Sequence, residues 1–478
     1  MAQRDFCTSQ FAGPAILVSY HTIIIGAGMS GLAAGIRLAY FEKSVCVLER
    51  HTTIGGLNSF YRLRNRNHDV GLHAVTNYAI PGTTTGPLSK LLRQLRLTWE
   101  DFSLHPQNYS KTIFPGQTLT FTNEFEVLLN QVVDQFPQQA DNFRRLLRRI
   151  DEHDELNLSI KLLSAREVLE GEISDPLLID MLLCPLMFYG SPTPYDMDFS
   201  QFVIMFKSIY YQGFGRPLEG VRRILRKLVR KFKSLGGELK LHAGVRSILT
   251  KNGCATGVVL DDGRILEARH FLSTVGSVET LRLCQGSDVQ INQYQPGEIS
   301  FVETIFSLDR HPSQIGHNET IIFYNDSSKF YYENPEHPVD VRSGIICSPN
   351  NFQYDTPLVD GTIRVTALAN PDYWMKLPQD DYVAEKEYWC KKIVESALRY
   401  VPDFRPYVVD TDMFTPRTIK KYTGHVKGCV YGSPEKIRNG RTYLNNLFLC
   451  GTDQGFLGII GAMLSGITIA NLHLIKAE

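Results

Sequence analysis

The sequence predicts an α/β protein with a parallel-sheet domain assembled from separate parts of the chain and an α+β domain with an antiparallel sheet. Three observations predict this. A strand, a glycine-rich turn and a helix open the chain, and LNNLFLCGTDQGFLGIIGAMLSGITIANL supplies a similar series at its end. Alternating apolar runs between them, such as FVETIFSL, TIIFYN and TIRVTAL, favour antiparallel strands.

The first element is a short buried strand over residues 21–25, because β-branched residues dominate it and a glycine ends it. A G-x-G-x-x-G spacing follows, before a helix predicted over residues 32–41. In that pattern the glycines allow a tight turn, close approach of a pyrophosphate and close helix packing. A dinucleotide is therefore predicted at the helix N-terminus, on Gly26, Ala27, Gly28, Met29, Ser30 and Gly31.

The second strand, over residues 45–48, favours the dinucleotide over a purely structural glycine turn. It ends at Glu49, about 20 residues beyond the glycines, where a βαβ unit presents a carboxylate to a ribose hydroxyl.

The middle of the chain returns to the same domain. A basic amphipathic helix is predicted over residues 217–235, followed by a strand pair in LKLHAGVRSI and a hairpin and apolar strand in TGVVLDDGRILEARHFLSTV. Residues 85–212 look mainly helical, and another helix is predicted over residues 380–400. We predict a nucleotide-binding domain of residues 20–84, 213–290 and 410–478, and a substrate domain of residues 85–212 and 291–409.

Composition excludes several classes of protein. The 478 residues carry 50 basic and 50 acidic side chains, which disfavours a nucleic-acid partner. Nine scattered cysteines without a C-x-x-C pair indicate reduced thiols and a cytoplasmic location, and no metal site is expected because H-E-x-x-H is absent. No apolar run reaches the roughly 18 residues of a membrane span, and we interpret FAGPAILVS near the start as a loose extension.

Several of these motifs resemble the FAD enzymes of the amine-oxidase and phytoene-desaturase superfamily. LFLCGTD followed by GIIGAMLSG is similar to their closing motif, and GGELKLHAGVRSI and the Gly55-Gly56 pair match other parts of the pattern. HDVGLHAVT and residues 414–435 resemble segments of carotenoid isomerases and retinol saturases. Departures occur at Leu57 and Asn58, where arginine is frequent, and at His68, which replaces a phenylalanine. The resemblance implies a Rossmann-like, GR2-type FAD-binding domain.

The resemblance also implies roles for individual residues. Asp453 would face the ribityl and phosphate region of the flavin, and Val245 would lie at the adenine side through its backbone. A helix starting near Gly461 would point its N-terminus at N1 and O2 of the ring, where reduced flavin carries negative charge. The other residues placed at the cofactor are Glu49, Arg50, Gly55, Gly56, Leu57, Gly451, Ala462 and Met463.

The implied substrate is a lipophilic isoprenoid, of carotenoid or squalene type, that is desaturated, saturated or isomerised with an unidentified electron partner. Such chemistry at a flavin needs little acid or base help from side chains. His73 and Tyr422 are the only candidates for proton transfer, and each suits a structural hydrogen bond better. Residues 175–190 and 199–215 are apolar enough for a substrate tunnel, although helical spacing of Leu, Met and Phe also suits an ordinary core.

Three questions stay open from the sequence. An amine oxidase fits the first and last motifs equally well, but it usually has paired aromatic residues over the flavin, and here Phe456 stands alone. A non-catalytic, flavin-holding lipid-binding protein is a further alternative. The basic helix either rests on anionic lipid as a peripheral membrane contact or coats a solvated face, through Arg222, Arg223, Arg226, Lys227, Arg230, Lys231 and Lys233.

Overall fold

The computed structural model describes residues 20–71, 73–155, 157, 161–284 and 294–476. Within them lie two seven-stranded sheets, each packed against helices. The predicted α/β class, with a Rossmann-like domain and a second domain built on a largely antiparallel sheet, is confirmed. The N-terminal extension, residues 1–19, lies outside the described residues.

Parallel pairing defines the centre of the first sheet. Tyr20–Ile25 lies between Val45–Leu48 and Ile265–Ser273 and runs parallel to both. In such sheets a ligand binds beyond the carboxyl end of the strand where the connections diverge. The strands of this sheet are Tyr20–Ile25, Val45–Leu48, Glu238–Lys240, Val245–Lys251, Cys254–Leu260, Ile265–Ser273 and Leu447–Leu449.

Helices from both ends and the middle of the chain cover one face of this sheet. They are Met29–Ala39, Gly86–Leu95, Val221–Ser234 and Gly458–Ile469. We call the first the glycine-turn helix and the last the closing helix. The two touch where Gly466 lies on Ser30, so closely that a Cβ atom at residue 466 would come within 2.0 Å of the Ser30 carbonyl oxygen. The two ends of the chain therefore meet in one hydrophobic core.

The second sheet separates two hydrophobic cores. Along Ile321–Asn325, Ile321 and Phe323 pack into one core, whereas Ile322 and Tyr324 pack into the other, as the two-residue period of a strand requires. In spatial order the strands of this sheet are Val408–Phe414, Phe301–Leu308, Gly361–Leu368, Ser343–Cys347, Ile321–Asn325, Ser110–Phe114 and Gln117–Phe121.

Helices lie on both faces of the second sheet. One face carries Phe125–Gln135, Ala140–Glu152, Ala165–Glu172, Pro176–Gly190 and Phe199–Phe206. The other carries Pro371–Lys376 and Gln379–Ala397. The two apolar stretches considered for a tunnel contribute their side chains to the core, since Leu182 and Phe202 are fully buried in it. The other α-helices in the described part of the chain are Trp99–Phe102, Ser277–Leu283 and Pro416–Thr423.

Short strands complete the described elements. Phe60–Leu63 pairs with Arg66–Asp69 in a hairpin. The strand Phe214–Pro217 pairs with both Val75–Thr76 and Leu104–Pro106. This strand also corrects the predicted start of the basic helix, which begins at Val221 and not at Pro217.

Three further expectations need correction. Residues 85–212 are not mainly helical throughout, because SKTIFPGQTLTF forms a hairpin that joins the second sheet beside Ile321–Asn325. The predicted boundary at residue 410 falls inside the strand Val408–Phe414, which pairs with Phe301–Leu308. Cys254 is disulfide-bonded, which sequence spacing alone did not indicate. The other described cysteines are free thiols: Cys46, Cys184, Cys284, Cys347, Cys390, Cys429 and Cys450.

Candidate cofactor and active site

The glycine turn leaves open space at one glycine and closes tightly at another. A Cβ atom at Gly28 would meet nothing within 4 Å, whereas one at Gly31 would lie 2.2 Å from the Gly26 carbonyl oxygen. Gly56 lies opposite, so that its Cβ position is 3.9 Å from the Gly28 Cα atom. Gly31 therefore lets the helix pack closely on the strand. Gly28 and Gly56 border an open space in which a ligand can approach the protein backbone.

The glycine-turn helix and the closing helix both begin without a side-chain cap. Neither Gly28 before the glycine-turn helix nor Leu457 before the closing helix offers a side-chain hydrogen bond. The first N–H groups of a helix have no partner within the helix and carry the positive end of its dipole. The arrangement therefore suits a phosphate at the first terminus and an anionic ring at the second.

Glu49 shapes the turn from the end of its strand. Its buried carboxylate accepts hydrogen bonds from the backbone N–H groups of Ala27 and His51, each at 3.0 Å. Each oxygen keeps a second lone pair for another donor, such as a ribose hydroxyl. The neighbouring Arg50 is exposed, and its guanidinium lies 3.5 Å from the Lys421 carbonyl oxygen.

The Gly55-Gly56 pair lies against the same turn. Gly55 donates its N–H to the Ala27 carbonyl at 3.0 Å and forms an isolated bridge with Gly28. Leu57 follows in the short helical turn Gly56–Asn58. Val245 begins the strand just after Ala243, whose N–H donates to the Glu49 carbonyl oxygen at 2.8 Å. The structure thus brings these sequence-predicted residues to one edge of the first sheet.

Asp453 ties three distant segments together. It is 2% exposed, and its carboxylate accepts from the Ser277 N–H at 2.6 Å, the Ser277 hydroxyl at 2.8 Å and the Ser433 N–H at 2.9 Å. The Lys436 ammonium lies 3.7 Å away. Burial lowers the pKa of Lys436, and the Asp453 carboxylate partly offsets that effect. Sequence reasoning missed these partners, although STVGS directly after an apolar strand was a signal for Ser277.

The closing helix begins earlier than predicted. It starts at Gly458, so its partnerless N–H groups belong to residues 458–461, and Ala462 and Met463 lie beyond them. The Met463 side chain is fully buried in the core, as the Met29 side chain nearly is. Gly451, before this helix, donates its N–H to the Ser465 hydroxyl at 2.6 Å.

His73 lies in a buried ionic cluster that the sequence did not predict. Its Nε2 atom is 3.0 Å from the Thr366 hydroxyl and 3.5 Å from Glu303, which also pairs with Arg364 at 2.5 Å. Burial lowers the pKa of His73, and Glu303 offsets this only in part, so the ring is neutral at pH 7. These contacts suit His73 for a structural hydrogen bond better than for proton transfer.

A second ion pair adjoins this cluster. Arg216 pairs with Asp69 at 2.5 Å and also donates to the His73 carbonyl oxygen at 3.2 Å. Asp69 and both arginines line a cavity of about 440 Å³. The sequence signal was a charged residue within otherwise apolar strands, as in FVETIFSL and TIRVTAL.

Tyr422 does not share this environment. Its side chain is 53% exposed, and its ring lies 5.5 Å from the His51 ring. The two candidates for proton transfer therefore have different surroundings, and an exposed phenol beside His51 is poorly placed for chemistry in a dry pocket.

The flavin containing amine oxidoreductase family model matches residues 29–282, more than half of the chain. The chain belongs to this family. The resemblance read from the motifs is confirmed, and the protein is an FAD-dependent oxidoreductase. The open glycine turn, the two uncapped helix termini and the buried Asp453 carboxylate are features that fit FAD.

Two curated relatives of this flavoprotein match most of its length. The 4,4'-diaponeurosporene oxygenase of Staphylococcus aureus (strain MRSA252) is 22% identical over 476 residues, covering 90% of this chain and 93% of the relative. The chloroplastic prolycopene isomerase of Arabidopsis thaliana is 22% identical over 507 residues, covering 96% of this chain and 83% of the relative.

Solved structures share the fold of this flavoprotein. An oxidoreductase from Methanosarcina mazei gives a TM-score of 0.66 at 16% identity, covering 94% of this chain and 99% of the other. Putrescine oxidase bound to putrescine gives a TM-score of 0.61 at 18% identity, covering 95% and 98%.

Proposed function

We propose that this oxidoreductase acts on a lipophilic isoprenoid, a carotenoid- or squalene-type polyene, by desaturation, saturation or isomerisation. The observation that carries the proposal is the extent of the match to the diaponeurosporene oxygenase and the prolycopene isomerase. The alignments cover 90% and 96% of this chain and so include its second domain, where a substrate domain was predicted.

We also propose which residues hold the cofactor. The pyrophosphate would lie on the turn from Gly26 to Gly31, opposite Gly56, and the adenosine ribose would bind Glu49. Val245 would face the adenine, and Asp453 the ribityl chain. The N-terminus of the closing helix, residues 458–461, would stabilise negative charge on the ring.

Aromatic side chains make a series of ring contacts from the cofactor side into the core of the second domain, where we place the substrate. Tyr431 lies two residues before Ser433, which binds Asp453, and its ring centroid is 5.8 Å from that of Phe301. The Phe301 ring lies 6.1 Å from Phe188, inside the large core of the second domain. Such a wall binds a polyene by apolar contact and excludes water.

Bound FAD supplies hydride exchange at its N5 atom. The chain's own residues then have to orient a C–H or C=C bond and keep the site dry. Burial raises the pKa of Tyr431, and its hydroxyl donates to the Phe188 carbonyl oxygen, so this phenol stays protonated within the aromatic wall. The neutral His73 requires no role in proton transfer.

The substrate class is tested by anaerobic reduction of the flavin. We expect polyenes to reoxidise photoreduced protein, to reduce the oxidised protein, or to change isomer without net flavin turnover, as seen by flavin absorbance and product chromatography. No change with any carotenoid- or squalene-type polyene would contradict the proposal. Net desaturation or saturation also requires an electron acceptor or donor, which isomerisation does not.

Amine oxidation is the second candidate, supported by the family to which the chain belongs. Amine oxidases usually have a pair of aromatic residues over the flavin, and Phe456 is the candidate for one of them. None of the ring contacts among the described residues involves Phe456, so no such pair is formed with it. Bleaching of the oxidised flavin by primary or secondary amines, with no response to polyenes, would favour the oxidase.

A peripheral membrane contact belongs to the same proposal, because a polyene substrate dissolves in lipid. Within the described residues, no helix combines the length and apolar character needed to cross a bilayer. Several cations of the basic helix Val221–Ser234 already have partners in the protein: Arg223 pairs with Glu219, and Lys227 with Asp101. Contact with anionic lipid would therefore depend on the exposed Arg230 and Lys233.

This contact predicts weak, salt-sensitive binding to anionic vesicles. We expect the double variant Arg230→Gln, Lys233→Gln to lose sedimentation with phosphatidylserine vesicles while keeping its flavin. Arg264→Gln is a suitable control, since Arg264 is an exposed cation on the hairpin between two other strands. If both variants bind the vesicles equally well, the basic helix is not the membrane contact.

A further inference from the structure

We propose that Glu279, His425 and Cys429 form a binding site for one divalent cation of the zinc type. The cation would fasten the segment of residues 424–436 to the helix Ser277–Leu283. The site is independent of the proposed substrate, and it was not predicted from the sequence, because Glu279 is far along the chain from the other two residues.

The geometry places three donor atoms together. One ligand atom of each residue lies within 4.8 Å of the other two, and the His425 Nδ1 atom is 3.5 Å from a Glu279 oxygen. In tetrahedral zinc coordination the donors are about 3.5 Å apart, so after a small mutual approach these atoms would fill three of the four positions. A carboxylate, an imidazole and a thiolate are all ligands that zinc accepts.

A buried nitrogen of the cluster lacks an ordinary hydrogen bond. His425 is 7% exposed, and its buried Nδ1 atom faces a Glu279 oxygen at 3.5 Å, which is ion-pair distance but too long for a good hydrogen bond. Cys429 is also buried, at 2% exposed. A cation would satisfy the nitrogen and be neutralised by the carboxylate and the thiolate.

The backbone presents two of the ligands on one short turn. His425 and Cys429 flank the turn Val426–Gly428, in which Lys427 adopts a φ of +57°. The Lys427 side chain points away to Asp372, at 3.1 Å, so it does not compete for the site. Val426 donates its N–H to Glu279 at 2.7 Å and thereby orients the third ligand, as outer contacts do in metal sites.

The site would brace the segment that holds Asp453. Glu279 and Asp453 both approach Gly276, where a Cβ atom would be 2.3 Å from the first carboxylate and 3.5 Å from the second. Ser433, which donates to Asp453, follows Cys429 by four residues. A cation bound to Cys429 would therefore restrain the loop between Cys429 and Ser433.

Metal content and Co²⁺ substitution test the proposal on the purified holoprotein. We expect one equivalent of zinc by mass spectrometry, and, after chelation and reloading, tetrahedral Co²⁺ absorption in the red, where oxidised flavin does not absorb. Cys429→Ser should abolish the thiolate character of this spectrum, and Glu279→Gln should weaken Co²⁺ binding at least tenfold. Cys390→Ser, a free cysteine on the helix Gln379–Ala397, is the matched control and should change neither.

Flavin content and circular dichroism monitor folding separately. The wild-type Co²⁺ spectrum decides the matter even when a variant fails to fold. Absence of stoichiometric metal and of a tetrahedral Co²⁺ spectrum, or a spectrum unchanged in folded Cys429→Ser, would overturn the proposal. Neither result depends on polyene turnover.

Discussion

Single residues decide the electrostatics of the interior. Glu303 and Arg364 are 7% and 2% exposed, and Arg364 also donates to the Asp69 carbonyl oxygen at 3.1 Å. This contact connects the Glu303–Arg364 pair to the Asp69–Arg216 pair. A buried charge without its partner is far more costly than the pair is beneficial.

Replacing Glu303 by Gln should therefore lower the free energy of unfolding by about 3–5 kcal/mol, because the buried Arg364 loses the carboxylate that pairs with it directly. Urea denaturation measures this. Asp309→Asn is the control: its pair with Arg310 is half exposed, so we expect a change below about 1 kcal/mol. Equal effects of both substitutions would contradict the assigned importance of the buried pair.

The same carboxylate predicts an acid-dependent loss of stability. Burial alone would raise the pKa of Glu303, but the charge of Arg364 and a hydrogen bond from His73 outweigh it and hold the pKa at about 2, below the ordinary 4.5. A lowered folded-state pKa contributes stability that is complete above 4.5 and is lost as the pH falls towards 2. Unfolding titrations between pH 5 and pH 2 should show this loss in the wild type and a smaller one in Glu303→Gln.

Two glycines of one motif should respond differently to substitution. Gly28 has a φ of −74° and open space beside it, so Gly28→Val should fold with the stability of the wild-type apoprotein but lose bound flavin, because valine fills the proposed pyrophosphate position. Gly31→Val should disturb folding itself, because its Cβ atom would meet the Gly26 carbonyl oxygen at 2.2 Å. Flavin absorbance and thermal unfolding separate the two effects. A flavin-loaded Gly28→Val protein would refute the assignment.

At the scale of elements, the proposed cofactor site depends on the contact between the glycine-turn helix and the closing helix. Gly466→Leu should push the helices apart at Ser30, lower the free energy of unfolding by about 1–3 kcal/mol and speed flavin release. Leu472→Gln, at a side chain 55% exposed near the same end, should change neither quantity. Retention of flavin at the wild-type rate in Gly466→Leu would contradict this dependence.

Elements with strong local patterns were predictable. The apolar run of residues 45–48 is the strand Val45–Leu48, and the predicted first strand and its helix are present within a few residues. The hairpin Ser110–Phe121 was missed because two five-residue strands are brief signals among long helical patterns. The closing helix starts at Gly458, a glycine with a φ of +71°. This start lies one turn before the residue that the motif suggested.

The candidate site was predictable only in part, for a physical reason. The glycine turn, Glu49 and Asp453 belong to local motifs whose spacing has a chemical purpose. The partners of Asp453 and the Glu303–Arg364 pair arise from contacts between segments far apart in the chain. Strand register decides those contacts, and no local pattern specifies that register.

For the whole molecule, the proposed cofactor site joins the beginning, middle and end of the chain, so FAD should stabilise the fold as a unit. A ligand that binds only the folded state adds about 2.7 kcal/mol at a hundredfold excess over its Kd. We expect the melting temperature of the apoprotein to rise with FAD concentration and to rise much less with FMN, which lacks the adenosine predicted beside Val245. Calorimetry measures this, and equal stabilisation by FMN would contradict the extended binding mode.

The placement of Leu447–Leu449 against Ile265–Ser273 has a consequence during protein synthesis. At about 5–20 residues per second, the ribosome makes this last strand roughly 20–80 seconds after the first. Until then the nascent chain exposes an unpaired sheet edge and an uncovered apolar face, both of which invite aggregation. Since the proposed flavin contacts of Asp453 and the closing helix belong to that final segment, FAD would be enclosed only after translation is complete.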